Sequence, residues 1–152
     1  MPRRGDGFSF LFRHVLHDWP DDKVIEILAN VARAAGPESR ILLVESITPI
    51  PASDAEPNDH PVTLDNLVHT SRYQALTAPT HIPHDFGAAS RSKHLLSLYL
   101  LSVMNAQERT LAQWKRLIEA ADMRVSGVFA LRSMVSVIEC RAANAGGEAL
   151  LV

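Results

Sequence analysis

Two histidines three residues apart, an aspartate, a tryptophan and a proline crowd into RHVLHDWPDD, residues 13 to 22. Imidazole titrates near neutral pH, so a histidine beside carboxylates can take a proton from a weakly acidic hydroxyl. His17 stands where an apolar run ends and a helix begins, and Glu45 holds a comparable place at the end of ILLVE, residues 41 to 45. In a parallel α/β sheet, ligands collect at the carboxyl ends of the strands. A carboxylate drawn toward a core needs a partner, and an imidazole is a suitable one. The plainer alternative is that His17 and Asp18 only cap the helix while Glu45 turns to solvent, as most charges do. A second carboxylate, Glu108, lies in NAQERT, residues 105 to 110, with Asn105 and Arg109 between one apolar helix and the start of another.

These residues need strands and helices to hold them. FSFLFRHVL, residues 8 to 16, is aromatic and branched and reads as a buried strand. Pro20 suits the first turn of the following helix, and Asp18, Asp21 and Asp22 put negative charge at its positive end. Val24, Ile25, Leu28, Val31, Ala32 and Ala35 recur on one face, and Gly36 and Pro37 end the helix. With ILLVE this makes a βαβ unit, so the two strands are expected as parallel neighbours. Residues 46–89 read as a long irregular insertion, since they hold six of the nine prolines; a short helix is expected within residues 62–76. A helix resumes near Ser90, and its apolar stretch from Leu95 to Met104 predicts burial or an interface. Thr110 and Gln113 form a capping box for a helix carrying Leu111, Trp114, Leu117, Ile118 and Ala121 on one face. VSGVFAL (125–131) and VSVIEC (135–140) predict an antiparallel hairpin, and residues 144–152 a frayed tail. The fold class is α/β, one domain over residues 1–143 with parallel strands first and the hairpin last.

Composition narrows the partners. A net charge of −2 over 152 residues favours neither nucleic acid nor an anionic membrane. No apolar run is long enough to span a bilayer, and the N-terminal one is too short for a signal peptide. The single cysteine, Cys140, and the absence of an N-x-S/T sequon point to a reducing, cytoplasmic setting. His81 and His84 are close in sequence, but no further ligands join them, so no metal site is expected.

Taken together, RHVLHDWPDD, ILLVE and NAQERT resemble the class I S-adenosylmethionine-dependent O-methyltransferases of the plant caffeate and hydroxyindole type, found also in fungi. The resemblance runs from about Phe8 to Ala142. It implies a partial Rossmann-like sheet, S-adenosyl-L-methionine as cofactor, a small aromatic hydroxyl acceptor and metal-free catalysis. It makes His17 the general base, flanked by Glu45 and Glu108. It puts Arg13 and Trp19 on the cofactor, and Asp18, Met104 and Asn105 beside the acceptor. Trp19 reads equally as a core aromatic beneath the helix, and the two roles are compatible. The family's glycine-rich cofactor turn, its ribose-binding acid and its N-terminal helical dimerisation domain have no counterpart here, and GDGF at residues 5 to 8 lies too close to HDW to replace them. The chain then corresponds to the carboxyl part of the catalytic domain. Weak cofactor binding by the chain alone is expected, as is self-association through the unpaired strand 8–16 and the 95–104 helix. The alternative is a non-catalytic interaction or binding module.

Overall fold

The alternation in SFLFR builds the first strand, β1 (Ser9–Arg13): Phe10 and Phe12 pack on the core while Ser9, Leu11 and Arg13 face the other way. The computed structural model describes residues 7–48, 79, 81, 82, 86–131 and 133–143. The short helix expected within 62–76, the interior of the 46–89 insertion and the tail from Asn144 lie outside them. β1 is shorter than the apolar run that encodes it. At His14 the backbone turns left-handed, with φ 52°, and Leu16–Asp18 form a 3-10 turn. Leu16 is nevertheless fully buried. Its apolarity belongs to a turn packed into the core, so composition alone could not separate it from the strand.

Helix α1 (Asp21–Ala34) follows, with Pro20 as its N-cap residue and Asp21 and Asp22 in the first turn. Val24 and Leu28 are its fully buried positions. β2 (Arg40–Ser46) then pairs with β1 in parallel, Phe10 opposite Ile41 and Phe12 opposite Leu43. Helix α2 (Ala88–Met104) begins after Gly87, whose φ of 111° suits a residue without a side chain. Helix α3 (Leu111–Ala120) opens on the expected capping box. β3 (Met123–Ala130) and β4 (Val135–Ala142) make the hairpin. Its last strand inserts beside β2, giving the order β1-β2-β4-β3, mixed parallel and antiparallel.

One face of this sheet carries the core. Ile41, Leu43, Ile138 and Cys140 meet Val24 and Leu28 of α1 and Trp114, Leu117 and Ile118 of α3 in one cluster. The opposite face is thinly covered: Leu11 is 64% exposed, and Leu42 and Val44 are half-buried. α2 departs from expectation. Lys93, Ser97 and Leu100, spaced four and three apart, make the inward contacts, by hydrogen bonds to Ile47 and Glu108 and by burial of Leu100. Leu95, Leu98, Tyr99, Leu101, Val103 and Met104 stay exposed, so burial within this chain is not the fate of that apolar run. A helix lying on an edge buries one stripe whatever its other faces contain.

The two sheet faces should respond differently to truncation. Leu43→Ala is expected to lower unfolding free energy by about 2–5 kcal/mol, and Leu11→Ala by less than about 0.5 kcal/mol. Urea denaturation of the two variants checks this; equal losses would mean that the core is misplaced.

Candidate active site

Glu45 starts the site. It sits near the end of β2 and is fully buried. Its Oε1 accepts from the backbone amides of Val15 at 3.2 Å and Leu16 at 3.0 Å. Those amides lie beyond β1, whose ladder closes with His14 N donating to Val44 O at 3.2 Å. A carboxylate at the strand end therefore replaces the missing ladder partners, and charged acceptors make the stronger bonds. The 3-10 turn that follows carries His17, only 8% exposed.

Glu108 arrives from the other side of the chain. α2 stops at Asn105, whose φ of 52° is the left-handed conformation that asparagine tolerates at a helix end. The segment after it runs alongside the end of β2: Ile47 bridges Arg109 in parallel, and Thr48 N donates to Arg109 O at 3.0 Å. Ser97 Oγ accepts from Glu108 N at 3.3 Å. Glu108 Oε1 then lies 3.0 Å from His17 Nδ1, with Glu45 Oε2 3.9 Å from the same nitrogen. On the far side of the ring, Nε2 is 3.4 Å from Asp18 Oδ1.

The electrostatics follow from this crowding. The hydrogen bond to Glu108 pushes the His17 pKa above its usual value; burial opposes the shift, and the charges of Glu45, Glu108 and Asp18 add to it. Burial drives the Glu45 carboxyl upward against the pull of His17 and the two amides. Lys93, whose Nζ donates to Ile47 O at 2.9 Å, has its pKa lowered by burial while the Glu108 charge works the other way. Sequence reasoning gave Lys93 no part, because a lysine on an apolar helix carries no sign of where it points.

Four of the expected site residues thus converge: His17, Asp18, Glu45 and Glu108. The others stand nearby without described contacts to the imidazole. Arg13 ends β1 with an exposed side chain. Trp19 is 45% exposed, so the reading as a core aromatic fails; α1 packs with Val24 and Leu28 instead. Met104, 46% exposed, and Asn105 lie four and three residues before Glu108. A cavity of about 300 Å³ lined by Ala29, Ala32, Ala35, Pro37 and Asp122 lies at the opposite end of the sheet from His17 and has no part in this chemistry.

Arg109, which the sequence marks only by its place next to Glu108, is the main support of the turn. It is fully buried. Its Nη1 donates to Leu16 O at 3.1 Å, its Nη2 to Trp19 O at 2.7 Å, and Nε and Nη2 both reach Asp21 Oδ1 at 2.9 and 2.7 Å. The guanidinium also lies 5.2 Å from the Trp114 ring. It therefore clamps the turn on both sides of His17. The signal in the sequence was only an arginine directly after Glu108, since its main acceptors are backbone carbonyls. Arg109→Lys keeps the charge and loses the planar fork. It is expected to cost about 1–3 kcal/mol through a carbonyl left without a donor, measured by urea denaturation; an unchanged midpoint would show that the fork is not what holds the turn.

Known proteins are similar to this chain in sequence and fold. Residues 2–74 match the O-methyltransferase domain. O-methyltransferase tpcA of Aspergillus fumigatus is 31% identical over 138 residues, which are 91% of this chain and 25% of tpcA. The solved mitomycin 7-O-methyltransferase MmcR is 25% identical with a TM-score of 0.62, over 94% of this chain and 31% of that one. CalO1, a methyltransferase in calicheamicin biosynthesis solved in its SAH-bound form, has the same fold at 18% identity, with a TM-score of 0.60 over 93% of this chain and 32% of that one. The chain spans a quarter to a third of the length of these proteins. It belongs to the O-methyltransferase family and covers one part of it.

Proposed function

We propose that this chain provides the proton-accepting side of S-adenosylmethionine-dependent O-methyl transfer to a hydroxyl of a small aromatic acceptor. The observation that carries this reading is the buried His17 imidazole held at Nδ1 by Glu108, 3.0 Å away. With an ionised carboxylate on Nδ1, the ring hydrogen sits there and Nε2 keeps its lone pair. Nε2 is the atom that receives the acceptor's proton, and Asp18 faces the resulting N–H. A phenolic hydroxyl titrates near 10 and free imidazole near 6.5, so complete transfer ahead of attack is uphill by about 5 kcal/mol. The raised proton affinity of His17 narrows that gap. Glu45 and Glu108 are positioning groups, and the rest of the work is alignment of the acceptor oxygen.

When bound, S-adenosylmethionine supplies the methyl group on a sulfonium whose charge favours the acceptor oxyanion. Arg13 and Trp19 are read as its contacts, and Met104 and Asn105 as acceptor contacts; all four side chains are exposed and free to meet a ligand. The exposed apolar face of α2 and the edge place of β1 in the sheet of described residues support self-association. A cytoplasmic setting accords with the lone, buried Cys140.

The test is methyl transfer from labelled S-adenosylmethionine to simple phenols, with the chain joined to the part of tpcA that it does not match. His17→Ala is expected to lower turnover roughly 10²–10⁴-fold with cofactor affinity retained. Undiminished turnover would remove His17 from this role. For the chain alone, calorimetry with S-adenosylhomocysteine is expected to give weaker than micromolar binding.

A further inference from the structure

Glu45 has one oxygen that the fold leaves unused. Oε1 serves two amides, whereas Oε2 is buried with no hydrogen-bond partner among the described residues, 3.9 Å from His17 Nδ1. His14 lies against this pair. Its left-handed backbone ends the strand's alternation, and its ring centroid is 5.4 Å from that of His17. One ligand atom from each of His14, His17 and Glu45 falls within 4.8 Å of the others, and of the three only His14 is exposed. The cluster is thus walled by two buried donors and open to solvent on its third side.

We propose that His14, His17 and Glu45 bind a borderline divalent transition ion of the zinc class. Two imidazoles and one carboxylate, with a fourth position left to water, form a donor set such ions take. Bonds of about 2.0–2.2 Å place ligand atoms roughly 3.3 Å apart around a tetrahedral ion, so the cluster closes on one by movements of at most about 1.5 Å. His14, the exposed member, can make most of that movement. Glu108, 3.0 Å from Nδ1 of the His17 ring, adds negative charge beside the cluster. Asp18 adds negative charge beside the same ring, and Lys93 near Glu108 opposes it. Magnesium and calcium prefer all-oxygen sets and are not expected to compete. The ion would occupy the imidazole that takes the acceptor's proton and so block methyl transfer. That consequence rests on the proposed function; the binding does not.

Calorimetry of the untagged chain with zinc chloride tests the site without any activity assay. One equivalent is expected to bind, and His14→Asn is expected to weaken it at least tenfold. Asparagine tolerates the left-handed backbone at position 14, so the fold is kept, which circular dichroism verifies. Glu45→Gln is expected to weaken binding similarly, while His94→Ala, outside the three-residue group, leaves it unchanged. Cobalt(II) in place of zinc should give the visible absorption of a four-coordinate site, lost in His14→Asn. Binding that survives His14→Asn and Glu45→Gln, or no binding in the parent chain, would overturn the proposal.

Discussion

A buried guanidinium holds the turn on which the site depends. Arg109 spends its donors on the carbonyls of Leu16 and Trp19 and on the Asp21 carboxylate. These acceptors bracket His17 and tie the end of the first strand to the start of α1. An arginine with no exposure has to satisfy all its donors, because each one left unpaired in the interior costs free energy. That demand fixes the turn in one conformation. It also places Glu108, the residue before Arg109, against the imidazole. One side chain thereby sets the position of His17 and of the carboxylate that bonds its ring.

The charges around His17 form a set of opposed effects that leave a proton acceptor. Burial disfavours the ionised Glu45 carboxylate, and the neighbouring imidazole relieves it. Glu45 has in addition two amides, so it serves the backbone first and the ring second. Glu108 does the reverse, bonding the ring directly. The unpaired outer oxygens of both carboxylates mean that the network is not closed within the described residues. Such incompleteness is ordinary where a ligand is expected, and it would be destabilising in a purely structural cluster.

Most of the framework could be read from the sequence because periodicity and turn chemistry agreed. The spacing of Val24, Leu28 and Val31 gave α1, Thr110 with Gln113 gave the start of α3, and the apolar runs around Ile41 and Ile138 gave strands. The end of β1 could not be read this way, since Val15 and Leu16 are as apolar as the strand before them and the reversal at His14 is set by Glu45, 31 residues on from it in the chain. The exposure of α2 was hidden for the related reason that an apolar helix does not state what covers it. Within the site, His17, Glu45 and Glu108 were legible through a family resemblance, whereas Arg109 and Lys93 act on backbone carbonyls and through-space charge that no motif records. The insertion of β4 beside β2 is likewise a long-range choice, made by the match of Leu43 and Ile138 across the sheet.

The hydrogen bond to Glu108 sets the tautomer of His17, with Nδ1 protonated, and raises the ring's affinity for a second proton. The most direct measurement is a pH titration of the ¹⁵N-labelled His17 ring by NMR, in the parent chain and in Glu108→Gln. An Nδ1–H tautomer is expected at high pH, with a pKa above the ordinary 6.5 that falls in Glu108→Gln. A His17 that titrates at the ordinary value in both proteins, or that carries its hydrogen on Nε2, would contradict it.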